Sequence, residues 1–176
     1  MRLFIAICFE APVVDALMEL EDELIEGGVQ GRRTPPENLH LTLAFIGEYG
    51  NPDEVLDVME TVPFEPLTIR FGGFWHLKDM YLLRLEESAG LLAYVKRLRH
   101  SLADAGIPFD RRSFKPHITL FRNVTLREDG FTIPETIPAQ DIWVRSVALM
   151  RSTQGKRGMI YTELGSIQAP DMTEDT

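Results

Sequence analysis

His40-Leu41-Thr42-Leu43 and His117-Ile118-Thr119-Leu120 are two copies of one pattern, 77 residues apart in a chain of 176. Each sits in a short apolar run, Leu39 to Ile46 and Lys115 to Arg122, of the length expected for a buried strand. Residues i and i+2 of a strand share a side. His40 and Thr42 therefore face one way and Leu41 and Leu43 the other, and the same holds for His117 and Thr119 against Ile118 and Leu120. A buried imidazole or hydroxyl without a partner costs about 1–3 kcal/mol. One such strand reads as a core histidine, but two at matching positions of a repeated unit read as a site.

The repeat extends outward from these strands. A shift of 77 lays Leu3-Phe4-Ile5-Ala6-Ile7 on Met80-Tyr81-Leu82-Leu83-Arg84, and a helix near residues 12–26 on 89–103. The first helix carries Val13, Leu17, Leu20 and Leu24 at helical spacing, with Pro12 at its start and Gly27-Gly28 at its end. The second carries Leu91, Val95, Leu98 and Leu102 and stops at Gly106. Each half reads strand, helix, polar loop, His-containing strand, the first loop being Gly31 to Asn38. The period exceeds that of stacked repeats, so two lobes facing each other across a cleft are expected. A short helix is expected after Asn51-Pro52-Asp53, and a strand pair over Leu67–His76 and Met80–Glu86, joined around Lys78-Asp79. Ile142–Met150 and Met159–Leu164 read as the last strands. Residues 1–168 are expected to form one bilobal domain, and the acidic segment 169–176 a disordered tail.

Composition narrows the function classes. The chain is 44% hydrophobic and 26% charged, enough apolar content for a substantial core. No apolar run approaches the ~18 residues of a membrane-spanning helix. The opening residues read as a first strand rather than a signal peptide, and one cysteine excludes an internal disulfide or a thiolate metal cluster. A cytoplasmic location is expected. The net charge of −9 disfavours loose binding to bulk nucleic acid. Yet within ten residues of His40 and His117, Arg32, Arg33, Arg111, Arg112, Lys115, Arg122 and Arg127 stand against only Glu37, Glu48 and Asp110. That local excess suits an anion site. Neither motif has an acid or a third histidine at ligand spacing, so no metal or other cofactor is expected. His76 and His100 read as solvent-facing, and Cys8, Trp75 and Trp143 as packed side chains. Glu19, Glu21, Asp22 and Glu23 read as a solvated helix face.

Asn38-Leu39-His40-Leu41-Thr42-Leu43-Ala44-Phe45-Ile46-Gly47-Glu48 and Lys115-Pro116-His117-Ile118-Thr119-Leu120-Phe121-Arg122 resemble the paired HxTx signatures of the 2H phosphoesterases. Within them the similarity is to the RNA 2′,3′-cyclic phosphodiesterases, historically called 2′-5′ RNA ligases. It takes in the opening strand and Ser152 to Leu164, with Gly155, Tyr161 and Leu164. The resemblance implies an α+β, bilobal, duplicated fold, with two antiparallel-rich sheets flanking a central cleft and helices outside. It also implies a metal-independent site between the lobes. Where the family often has an aromatic residue, this chain has Arg33, which replaces base stacking with a guanidinium plane or a phosphate contact.

Opening a cyclic phosphate with water needs a base for the water and an acid for the departing ribose oxygen, on opposite sides of phosphorus. Histidine serves either role near neutral pH, and the hydroxyls of Thr42 and Thr119 can donate to the non-bridging oxygens. The resemblance makes His40 the proton donor, His117 the proton acceptor, and Arg122 a phosphate ligand. Strict alternation would point Arg122 away from His117 unless the strand bulges near Phe121. Arg32, Arg33 and Lys115 are further candidates for the RNA backbone. The expected partner is an RNA terminus or short oligonucleotide with a 2′,3′-cyclic phosphate, giving a 2′-phosphate, with 2′-5′ joining as an associated activity. No protein partner or membrane is expected, and the chain reads as a monomer. The alternatives are a 2H phosphodiesterase for another cyclic or 2′-5′-linked nucleotide, and a non-catalytic RNA-end-binding protein.

Overall fold

Apolar residues at strand and helix spacing set the elements of the computed structural model, which describes residues 1–126, 132–134, 137 and 141–170. In chain order they are β1 (Arg2–Cys8), α1 (Ala11–Glu26), β2 (Val29–Arg33), β3 (His40–Glu48), α2 (Pro52–Thr61), β4 (Leu67–Ile69) and β5 (Phe71–Leu77). There follow β6 (Met80–Leu85), α3 (Ala89–Asp104), β7 (His117–Leu126), β8 (Ile142–Val144), β9 (Ser146–Gly155) and β10 (Gly158–Gln168). A 3-10 turn, Pro36–Asn38, leads into β3. The starts of α2 and α3 are capped by Asn51 and Ser88, whose side chains accept from the amides of Glu54 and Leu91 at 3.3 Å.

Two four-stranded antiparallel sheets result, ordered β10-β9-β1-β3 and β2-β7-β6-β5, with β4 and β8 paired in a small third sheet. The duplication is explicit: β1, α1 and β3 of the first half correspond to β6, α3 and β7 of the second. One continuous core joins them, including Leu3, Ile5 and Ile7 of β1, Leu41 and Leu43 of β3, and Ile118 and Leu120 of β7. Against these pack Leu17, Leu20 and Leu24 of α1 and Leu91, Val95, Leu98 and Leu102 of α3. The other face of the first sheet carries a separate apolar cluster of Phe4, Ala6, Ala148 and Met150, with Phe45 and Tyr161 beside it.

Three expected elements differ. The segment Gly31 to Asn38, expected as a loop, begins inside β2, whose five mostly exposed residues pair with β7 at the sheet edge. An edge strand with one buried residue carries no apolar alternation to read. The expected strand Leu67–His76 is broken at Arg70, because β4 leaves to pair with β8 while β5 pairs with β6. The expected strand Ile142–Met150 is broken at Arg145, because β8 pairs with β4 in the small sheet while β9 pairs with β1 and β10. The β5–β6 turn does fall at Lys78-Asp79, with Lys78 at φ 55°. Of the segment expected as a disordered tail, residues 171–176 lie outside the described residues.

Candidate active site

The backbone carries the repeat down to single residues. In β3 the pairing with β1 jumps from Ala6↔Thr42 to Ile5↔Ala44, and in β7 the pairing with β6 jumps from Leu82↔Thr119 to Tyr81↔Phe121. These are β-bulges at positions 77 residues apart. Each turns two consecutive residues into the core, Leu43-Ala44 and Leu120-Phe121, all fully buried. Each then reverses the alternation, so Phe45 returns to the side of His40 and Thr42, and Arg122 to the side of His117 and Thr119. The bulge carbonyls are satisfied from elsewhere. Leu43 O accepts from Arg99 at 3.1 and 3.3 Å, and Leu120 O accepts from the Thr34 amide at 2.8 Å.

Both imidazoles are held alike. His40 Nδ1 lies 2.7 Å from Asn38 O, and His117 Nδ1 lies 2.7 Å from Lys115 O. A carbonyl only accepts, so Nδ1 carries the hydrogen and Nε2 is the nitrogen left for chemistry. Asn38 is itself buried and anchored, its side-chain amide donating to Met159 O at 3.0 Å. Sequence reasoning assigned Asn38 no role; its signal is position, two residues before the histidine, where Lys115 stands in the other half.

The surroundings of His40 are enclosed. Its ring packs 5.0 Å from Phe4 and 5.2 Å from Tyr161, edge to face with the latter, and Nε2 is 3.0 Å from Thr42 Oγ1. Burial pushes its pKa below the usual histidine value, and the positive charges of Arg122 and His117 push the same way. The hydrogen bond to Asn38 O opposes them.

A cleft of about 230 Å³ opens beside this ring. Among its lining residues are His40, Thr119, Arg122, Arg32, Asn123 and Tyr161. Arg32 pairs with Arg122 across β2 and β7, so both lie on the cleft face. The Arg32 guanidinium crosses to the β9–β10 turn, donating to Arg157 O at 2.5 Å and lying against Gly158, where any Cβ would collide with it. Arg122 Nη1 meets Met80 Sδ at 3.5 Å. The structure thus brings His40, Thr42, Thr119, Arg122 and Arg32 together, with His117 near enough for its charge to act on His40.

Other sequence readings need correction. Arg33 borders the cleft, but its neighbour across the ladder is core Phe121, so its guanidinium turns toward α1. There it binds Glu21 at 3.2 Å, Asp22 at 2.8 Å and Met18 O at 3.2 Å, so its guanidinium is engaged by α1. Glu21 is accordingly 0% exposed rather than part of a solvated face. Lys115 reaches a different concavity, its Nζ 5.9 Å from the Trp75 ring. Cys8 is exposed at the end of β1. Trp143, at the middle of the short β8, is 65% exposed rather than packed. His76 and His100 are exposed, as expected.

Duplicated halves that each present His-x-Thr from a strand are the arrangement that the resemblance to the 2H phosphoesterases implies. A family model described as the 2′-5′ RNA ligase superfamily matches residues 16–156, and the chain belongs to that superfamily. The RNA 2′,3′-cyclic phosphodiesterase of Thermotoga maritima is 27% identical over 180 residues, covering 96% of this chain and 95% of the relative. The protein of the same name from Escherichia coli is 30% identical over 131 residues, covering 69% and 74%. Among solved structures, a Thermus thermophilus protein superposes with a TM-score of 0.79 at 28% identity, covering 96% of this chain and 97% of its own. E. coli LigT complexed with 3′-AMP gives a TM-score of 0.77 at 25% identity, covering 97% and 98%. No helix among the described residues is long and apolar enough to cross a membrane.

Proposed function

We propose that this protein hydrolyses RNA 2′,3′-cyclic phosphate termini to 2′-phosphate ends, with His40 as general acid and His117 as general base. The observation that carries the reading is the matched pinning of the two Nδ1 atoms at 2.7 Å, which reserves both Nε2 atoms for proton transfer. Relatives named RNA 2′,3′-cyclic phosphodiesterase, covering most of the chain, support the same substrate.

In this reading water attacks phosphorus as its proton passes to His117 Nε2. The P–O3′ bond breaks in line, and His40 Nε2–H delivers its proton to O3′. Thr119 and Arg122 hold the non-bridging oxygens, whose charge shifts in the transition state. Thr42 is coupled to the state of His40. With His40 neutral, the Thr42 hydroxyl donates to Nε2; with His40 charged, Nε2–H donates to Thr42 Oγ1 and frees the hydroxyl hydrogen for the phosphate. The free protein favours neutral His40, and the anionic substrate supplies the charge that favours the acid form. Because a charge on His117 lowers the His40 pKa, the state with both rings charged is disfavoured, which suits an acid–base pair. A 5′-hydroxyl in place of water would yield a 2′-5′ linkage by the same steps.

The test is incubation with a short RNA ending in a 2′,3′-cyclic phosphate, in EDTA, with identification of the product. A 2′-phosphate is expected. A 3′-phosphate would exchange the oxygen that leaves and overturn the assignment, and binding without turnover would leave an end-binding protein.

A further inference from the structure

The face of the second sheet that presents His117 and Thr119 continues past them. Arg84 pairs with His117, and Leu82 pairs with both Thr119 and Trp75, so all five side chains share that face. Trp75 lies two strands from Thr119, about 10 Å at ordinary strand spacing. Its indole is partly exposed, and the Arg84 guanidinium lies 4.1 Å from the ring centre. Lys115 approaches the same ring from the loop that pins His117. Neither Arg84 nor Lys115 has an ion pair among the described residues. A concavity of about 480 Å³ opens here, bounded by Trp75, Arg84, Lys115, Pro116, Phe114 and Leu92 and containing one acid, Glu87.

We propose that this concavity is a second nucleotide subsite, taking the RNA chain on the 5′ side of the terminal ribose. The proposal rests on the function given above. A 2′,3′-cyclic phosphate closes the 3′ end of its strand, so the chain can continue from the site only in the 5′ direction. The cleft beside His40, at about 230 Å³, is smaller than this concavity. An indole backed by a guanidinium is a stacking surface that accepts any base, and two unpaired cations beside it suit the intervening phosphate. In a protein of net charge −9, such a patch next to the site favours short ends over long tracts. Trp75 is therefore not the packing residue that its strand position suggests.

The experiment compares kcat/KM for a trinucleotide and a mononucleotide, both with 2′,3′-cyclic phosphates, in wild type, Trp75→Ala and Trp75→Phe. The wild-type trinucleotide-to-mononucleotide ratio should be about tenfold or more, falling toward one in Trp75→Ala and largely kept in Trp75→Phe. Mononucleotide turnover in the same sample reports whether the variant is folded. In parallel, a Trp143→Phe protein leaves Trp75 as the only tryptophan, and its emission should be quenched by a 3′-hydroxyl trinucleotide. Quenching without any cyclic-phosphate turnover would sink the proposed function and leave the subsite standing. Active protein with an unchanged ratio and no quenching would overturn the subsite. An unchanged ratio with impaired joining to a 5′-hydroxyl oligomer would assign the pocket to an incoming strand and also overturn it.

Discussion

β3 and β7 share a backbone and differ in what surrounds it. Both place His-x-Thr before a bulge, both pin Nδ1 to the carbonyl two residues upstream, and both bring the third residue after the threonine back to the site. That third residue is Phe45 in one half and Arg122 in the other. Phe45 extends the apolar floor of Phe4, Ala6, Met150 and Tyr161 around His40, while Arg122 supplies a cation. In the proposed mechanism the duplication gives two equivalent proton carriers, and their unequal surroundings would let one act as acid and the other as base. A symmetrical site would have no reason to prefer either direction of proton flow.

The strongest test of equivalence is to remove each ring in turn. His40→Ala and His117→Ala should each lower turnover of a cyclic-phosphate RNA by about 10²–10⁴-fold, the usual worth of a positioned acid or base. The pH dependence of kcat/KM in the wild type should be bell-shaped. A variant that keeps half its activity would break the pairing. A variant that flattens only one limb of the profile would show which ring holds the proton.

Arg122→Ala sharpens the comparison through charge. It removes a charge-assisted contact to the phosphate, worth about 1.5–3 kcal/mol or roughly 10- to 150-fold in kcat/KM. It also removes one of the causes that hold the His40 pKa down, so the NMR titration of the His40 ring should move to higher pH. Phe45→Leu, at the equivalent place in β3, should leave phosphate affinity nearly intact. If the His40 titration does not move in Arg122→Ala, the electrostatic link from Arg122 to His40 is absent.

The sequence makes the shared part of this comparison legible and hides the unshared part. The His-x-Thr strands, the two amphipathic helices and the offset of 77 follow from periodicity, which core burial enforces directly. The bulges leave only a faint mark, a pair of adjacent apolar residues followed by Phe45 or Arg122, and alternation alone points Arg122 the wrong way. β2 escapes notice because an exposed edge strand needs no apolar pattern. Trp143 misleads for the opposite reason: a three-residue strand in a two-stranded sheet buries Ile142 and Val144 on one face, and no described residue covers the other, where the large ring stays 65% exposed. Tyr161 acts on His40 through a tertiary contact that no local pattern encodes, and Asn38, only two residues upstream, is itself anchored by a distant partner, Met159 O.

Glu21 belongs to neither His strand and should have the smallest effect on turnover, because its partners, Arg33 and the Thr34 backbone, are not among the proposed reacting groups. The residue was readable in retrospect: it lies four residues after Leu17 and three before Leu24, on the apolar stripe of α1. Burial raises its pKa from 4.5 to about 7, against the lowering effect of Arg33. A carboxyl that ionises later in the folded than in the unfolded chain favours folding most below pH ~4.5. It gives up that contribution as the pH rises toward 7, with an upper bound of about 3 kcal/mol. Glu21→Gln stays neutral throughout and leaves Arg33 its contact with Asp22. The variant should match wild type in thermal stability near pH 4 and exceed it at pH 8, with turnover changed less than twofold. A wild type that is the more stable of the two at pH 8 would mean that the Arg33 pair outweighs the cost of burying the charge. In that case the anchoring of β2 to α1 depends on an ionised Glu21, and the edge that carries Arg32 into the cleft would loosen on acidification.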